Sequence, residues 1–161
     1  YRGVEGAPME VESQALVHAV QKELQHSSFV LTLDVHSGFG FQDRLWFPYA
    51  KTIRPFPDLP LVYSLKSLLD RTYPNHFYRV EPQAQSYTTH GDIWDYLYDT
   101  HLQKTQAGES GKYLPLCLEM GSWLWVKKNP WQIFRAEGPF NPSQGHRQQR
   151  ILRRHNTLME F

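Results

Sequence analysis

One cysteine in 161 residues, Cys117, is too few for a disulfide within the chain or for a multi-thiolate zinc site such as a finger or ribbon. Any metal must therefore be held by histidine and carboxylate. No apolar run approaches the roughly 20 residues that a transmembrane helix requires. Neither sign of charge dominates: 17 Lys+Arg stand against 16 Asp+Glu, a formal net charge of +1, so neither nucleic acid nor a membrane is an expected partner. Gly-x-Ser-x-Gly is missing, so Ser37 is no nucleophile elbow, and Gly38-Phe39-Gly40 lacks the Lys-Ser/Thr of a phosphate loop. Internal repeats and low-complexity linkers are missing too.

What remains is an ordinary globular composition, 40% apolar and 14% aromatic. A chain of this length buries about 68–70% of its unfolded surface, enough for one core or a large piece of a bigger one. The first residue is Tyr1, and the opening Tyr1-Arg2-Gly3-Val4 has neither the charged nor the apolar region of a leader peptide. The chain is therefore expected to begin downstream of the start of translation, which leaves the compartment open.

Along the chain, Ala15, Leu16, Ala19, Val20 and Leu24 recur at helical spacing, predicting an amphipathic helix over Glu10 to Glu23. Phe29 to His36 is apolar and β-branched and runs into Ser37-Gly38, the pattern of a buried strand ending in a loop. Residues 41–60, with Pro48, Pro55, Pro57 and Pro60 among aromatics, read as an irregular packed segment. A helix follows over Leu61 to Arg71, with Leu61, Leu65, Leu68 and Leu69 on one side, then a short strand near Phe77 to Val80. Asp92 to Gln103 is a helix opened by an acid, as its dipole favours, and Thr105 to Lys112 is a loop. Tyr113 to Met120 is a second apolar strand, which Pro115 marks as an edge or irregular one. Ser143 to Glu160 closes the chain as a helix. The order predicts a single α/β domain, a mixed sheet flanked by helices.

Two strands end in polar residues that a buried strand does not need: Asp34-Val35-His36 and Leu118-Glu119. In open α/β sheets, ligands bind beyond the carboxyl ends of the strands, so an imidazole and a carboxylate from different strands can face one site there. The two-residue period also puts Asp34 and His36 on one face of their strand. An imidazole in that place ligates a metal or is simply a hydrogen-bonded histidine; the carboxylate is a general base or half of a salt bridge.

Three segments in order carry a resemblance. Tyr1-Arg2-Gly3 with Glu10-Val11-Glu12-Ser13 and Leu33-Asp34-Val35-His36-Ser37-Gly38, then Ser86-Tyr87-Thr88-Thr89-His90-Gly91-Asp92-Ile93-Trp94-Asp95, then Leu116-Cys117-Leu118-Glu119 resemble the zinc carboxypeptidases of the carboxypeptidase A type, in a less typical, bacterial branch suggested by Trp46-Phe47-Pro48-Tyr49-Ala50. The resemblance implies a carboxypeptidase-like fold, a Zn²⁺ cofactor with His36 as its third ligand, Glu119 as general base and acid, and Tyr87 as a phenol contacting the substrate. It implies a hydrolase that cleaves an amide bond next to a terminal carboxylate, in a peptide or an acyl-amino acid. An amidase acting on acyl-amino acids or cell-wall peptides, and a non-catalytic module that keeps the fold, are the alternatives.

The departure from that pattern is as informative. The family's other two zinc ligands come from a His-x-x-Glu motif, and no His here has Glu three residues later. The resemblance thus makes residues 1–161 the C-terminal part of one catalytic domain, whose N-terminal part is a required partner. Other features have simpler readings. Asp92 is expected to cap its helix rather than face a specificity pocket. Trp123, Trp125 and Trp131 suit packing better than a stacking platform, and Cys117 suits the core. Arg147, Arg150, Arg153, Arg154 and His155 form a helical basic face, solvated by default, with phosphate contact as the sharper alternative.

Overall fold

A computed structural model describes residues 4, 6–38, 40–106, 111–136 and 138–160. Tyr1-Arg2-Gly3, Phe39 and the middle of the 105–112 loop lie outside the described residues. The elements, in chain order, are α1 (Val11–His26), β1 (Phe29–Gly38), β2 (Arg44–Phe47), α2 (Leu59–Thr72), β3 (Arg79–Pro82), α3 (Ile93–Gln106), β4 (Lys112–Gly121), α4 (Trp123–Lys128) and α5 (Gly145–Met159), with two short 3₁₀ turns.

The four strands form one mixed sheet in the order β1-β4-β2-β3. β1 runs parallel to β4, β2 antiparallel to β4, and β3 parallel to β2. This is the α/β class with a mixed sheet, as expected, but two strand assignments are exchanged. Tyr113 to Met120, expected at an edge because of Pro115, is an interior strand. Phe29 to His36, expected to be buried, is the edge strand, and its Phe29, Leu31 and Val35 are exposed.

The register explains how the interior strand tolerates proline. Lys112 donates its amide to Ser28 and Ser122 to Gly38, so even-numbered amides of β4 point toward β1. Pro115 therefore directs its nitrogen to the β2 side, and β2 pairs with β4 only at Cys117, Leu118 and Glu119. The missing N–H falls where no ladder partner exists, so its usual cost is not incurred. β2 itself, Arg44–Phe47, lies in the segment expected to be irregular; its prolines all follow the strand.

Leu45, Leu114, Leu116 and Leu118 are buried on one face of the sheet, together with Phe47. Helix boundaries differ from expectation by a turn at most, but the inward faces shift. In α1 the residues packed into the core are Val17, Val20 and Leu24, whereas Ala15 and Ala19 are exposed. In α2, Val62 and Leu69 are buried and Leu68 is exposed. Asp92 does cap α3, its Oδ1 accepting the amides of Trp94 at 2.9 Å and Asp95 at 2.8 Å.

A buried polar knot joins α5 to the sheet. Asp43 Oδ1 accepts the Gly121 amide at 2.9 Å, and its Oδ2 pairs with Arg154 at 2.7 Å. Next to it His155, 6% exposed, shares a 2.9 Å hydrogen bond between Nδ1 and the Tyr78 hydroxyl. Burial holds the His155 imidazole below its ordinary range, against the pull of Asp43 and helped by Arg154. The unfolded chain, with an imidazole titrating near 6.5, then binds the proton first as pH falls. Stability is expected to drop below about pH 6.5, by at most about 1.4 kcal/mol per pH unit for this one proton, until the folded imidazole also titrates. Urea melts of the protein and of His155→Gln across pH 5–8 check this: the variant should lose that component of the slope.

Candidate functional site

Directly paired residues of neighbouring strands point to the same face of a sheet. One face therefore carries Asp34 and His36 of β1, Cys117 and Glu119 of β4, Arg44 and Trp46 of β2, and Arg79 and Glu81 of β3. His36 lies beside Glu119 in the register and Asp34 beside Cys117. From the other side, Arg44 stands opposite Glu119 and Trp46 opposite Cys117. Because β1 and β4 are parallel, His36 and Glu119 both sit near the carboxyl ends of their strands, where ligands bind in α/β sheets.

Asp34 organises the histidine. Its Oδ2 accepts His36 Nε2 at 2.8 Å and the Trp94 indole N–H at 2.8 Å. Donation to a carboxylate places the imidazole proton on Nε2, which leaves Nδ1 as the lone-pair nitrogen of the neutral ring. The His36 side chain is 55% exposed, so a ligand can reach it. Trp94 comes from the first turn of α3, and its bond to Asp34 ties that helix to the edge strand.

Glu119 is held differently. Burial pushes its carboxyl above the ordinary range, with Asp34 adding to the rise, while His36 and Arg44 oppose it. A carboxyl displaced upward is better matched to proton transfer near neutral pH. Arg44 is itself shared: its Nε lies 3.1 Å from Glu81 Oε1, and Arg79 Nε lies 2.6 Å from Glu81 Oε2. Two guanidinium groups on one buried carboxylate leave a net positive floor next to Glu119.

Arg44, Trp46, Arg79, Glu81, Gln85, Ser86, Tyr87 and Glu119 line an open cleft of about 690 Å³. His36 is not among the lining residues; it neighbours Glu119 in the strand register. Tyr87 stands on the segment after β3 with its ring edge-on to Trp46, centroids 5.7 Å apart, and it remains half exposed. Burial and the nearby Glu119 raise its phenol above the ordinary range, so it is a hydrogen-bond donor at neutral pH. Cys117 lies on the same face, but burial pushes its thiol up to about 12, which keeps it protonated and non-nucleophilic. Asp92 and Asp95 are both engaged by backbone amides, so neither supplies an acid to the cleft.

Gly38 is a site residue that sequence reasoning did not single out. A Cβ built there would lie 1.3 Å from Glu119 Oε1 and 2.2 Å from its Cδ. The carboxylate thus occupies the space a side chain would take. Gly38→Ala is expected to turn the carboxylate outward and lower its titration toward the ordinary glutamate range. Side-chain carboxyl NMR titration checks this; an unchanged Glu119 titration would contradict the close contact. Trp94 was equally hidden, because nothing local in the sequence links it to Asp34. The Asp-x-His spacing was the visible signal for the Asp34–His36 pair.

Among the described residues no three His, Cys, Asp or Glu side chains form a group able to hold a metal ion. His36 is a single candidate ligand, and a catalytic zinc needs about three from protein. The residues present therefore fit one corner of such a site and do not complete it. Compared with known proteins, the chain matches no family model, no curated protein and no solved structure. Fold and site together define an α/β protein with a carboxylate–imidazole pair at the ends of two parallel strands.

Proposed function

We propose that the protein is a zinc-dependent hydrolase of the metallocarboxypeptidase type, cleaving an amide bond next to a terminal carboxylate. The observation that carries this reading is the adjacency of His36 and Glu119 at the ends of two parallel strands, with Glu119 and Tyr87 lining one cleft. Zinc held there in part by His36 would supply Lewis-acid chemistry for a carbonyl and a water. Glu119 takes a proton from water at its carboxylate and passes it to the departing amine, a role its raised titration suits. Asp34 fixes the His36 ring through Nε2 and presents Nδ1 outward. Tyr87 donates its phenolic hydrogen to substrate, and the Arg44–Glu81–Arg79 floor offers positive charge to an anionic one.

His36 would be one ligand of the ion, and the remaining ligands would have to come from outside the described residues. The exposed apolar row Phe29, Leu31 and Val35 on edge strand β1 supports further polypeptide packing on that side. A non-catalytic module that retains the fold is the second reading, favoured by the lack of a three-ligand group among the described residues. Elemental analysis and a hydrolysis panel on the protein expressed from its complete reading frame separate the two. The enzyme reading expects stoichiometric zinc, lost in His36→Ala and weakened about 10–100-fold in Asp34→Asn. Turnover of acyl-amino acids without turnover of peptides would narrow the activity to the amidase alternative. Absence of zinc together with absence of turnover would leave the binding module.

A further inference from the structure

Apart from the cleft beside Glu119, residues of α4 and α5 line a cavity of about 240 Å³ together with Asp43; its charged lining comprises Asp43, Lys128, Arg147, Arg150 and Arg154, and His146 and His155 also line it. Four cations against one carboxylate is a strong local excess in a chain of net charge +1. The carboxylate is spoken for: Asp43 pairs with Arg154 at 2.7 Å and accepts the Gly121 amide at 2.9 Å. Lys128, Arg147 and Arg150 have no carboxylate partner among the described residues.

Helical spacing brings the cations together. Arg147, Arg150 and Arg154 are three and four residues apart and share one face of α5, where like charges repel. Arg153 lies about 100° away per residue from Arg154 and is outside the cavity lining. The buried nitrogens Arg147 Nη1 and Arg154 Nε have no hydrogen-bond partner, and unpaired buried donors are uncommon enough to require a cause. The remaining contact of Arg147, Nη2 to the Lys128 carbonyl, is long at 3.5 Å. The first turn of α5 carries no acid, and its Gln144 cap makes no side-chain bond. Arg147 therefore adds positive charge to the positive end of the helix dipole.

We propose that this cavity binds a phosphate group. A dianion would satisfy the unpaired guanidinium nitrogens, relieve the repulsion along α5 and complement its dipole. The volume lies below the roughly 300–1,000 Å³ of pockets for drug-sized ligands, which restricts the occupant to one small anionic group. That group belongs to a soluble phosphate compound or to a phospholipid headgroup.

Titration calorimetry with inorganic phosphate at low ionic strength tests the site. Saturable binding is expected, weakened about tenfold or more in Arg147→Gln/Arg150→Gln and retained in Arg153→Gln. The exposed single variants Lys128→Gln and Arg150→Gln, monitored for folding by circular dichroism, should each weaken it in the same direction. No saturable phosphate binding, or equal weakening in Arg153→Gln, overturns the proposal. Vesicles of phosphatidylglycerol in phosphatidylcholine identify the source. Co-flotation reduced by the Arg147/Arg150 pair assigns a lipid headgroup, and phosphate binding without co-flotation assigns a soluble ligand.

Discussion

Glu119→Gln is expected to lower amide hydrolysis by about 10²–10⁴-fold, the usual contribution of a positioned general acid–base. Glutamine keeps the size and the hydrogen-bonding reach of glutamate but cannot take up a proton. The loss should therefore fall on kcat and kcat/KM together, with KM changed little. Zinc content should be retained, because Glu119 holds no ligand position in the proposed site. Steady-state kinetics on the complete protein check this, with metal analysis of the same preparation. A variant as active as the parent would remove the base role, and the hydrolase reading with it. Gly38→Ala displaces the same carboxylate while leaving it a carboxylate, since the added methyl takes its place.

Asp95→Ala is expected to cost about 2–4 kcal/mol of stability, because it strips hydrogen bonds from two amides in a buried environment. Asp95 is 2% exposed and accepts the Ala50 amide at 3.1 Å and the Lys51 amide at 2.9 Å. Burial raises its carboxyl above the ordinary range, and those two amides hold it down. The effect reaches the cleft through the backbone. The Ala50 carbonyl accepts the Thr89 amide at 3.0 Å and the Tyr49 carbonyl accepts the Ala84 amide at 3.1 Å, so the segment bearing Tyr87 hangs on the loop that Asp95 pins. Urea melts should show the stability loss. Substrate affinity should fall as well, and an Asp95→Ala protein with parental stability would contradict the anchoring role.

The six-residue α4, Trp123–Lys128, was too short to show a repeat and was not expected, whereas the four longer helices were legible because each is an apolar repeat bounded by proline, glycine or an acid. Asp92 illustrates this: an aspartate ahead of an aromatic, apolar run caps α3 as its chemistry predicts. The facing sides of α1 and α2 were less legible. Several apolar residues lie on each helix, and the choice of Val17 over Ala15, or Val62 over Leu68, depends on what packs opposite. β2 was hidden because four residues among prolines give no period of their own; pairing with β4 and β3 makes it a strand.

Residue types and two-residue spacing were enough to nominate Asp34, His36 and Glu119, since acids and imidazoles at strand ends are costly unless they have partners or chemistry; Tyr87 was nominated by the resemblance alone. The single cysteine also excluded a metal site built on several thiolates of this chain. Strand order lay beyond residue types and spacing. An apolar run reads alike at an edge and in an interior, and only the direction of the Pro115 nitrogen relative to β2 reveals why the proline-bearing strand is central. Tertiary structure alone set Glu119 between His36 and Arg44, emptied the space at Gly38 for its carboxylate, and brought Trp94 to Asp34. Each of these contacts joins residues distant in the chain, and register, a property of paired strands, decides them.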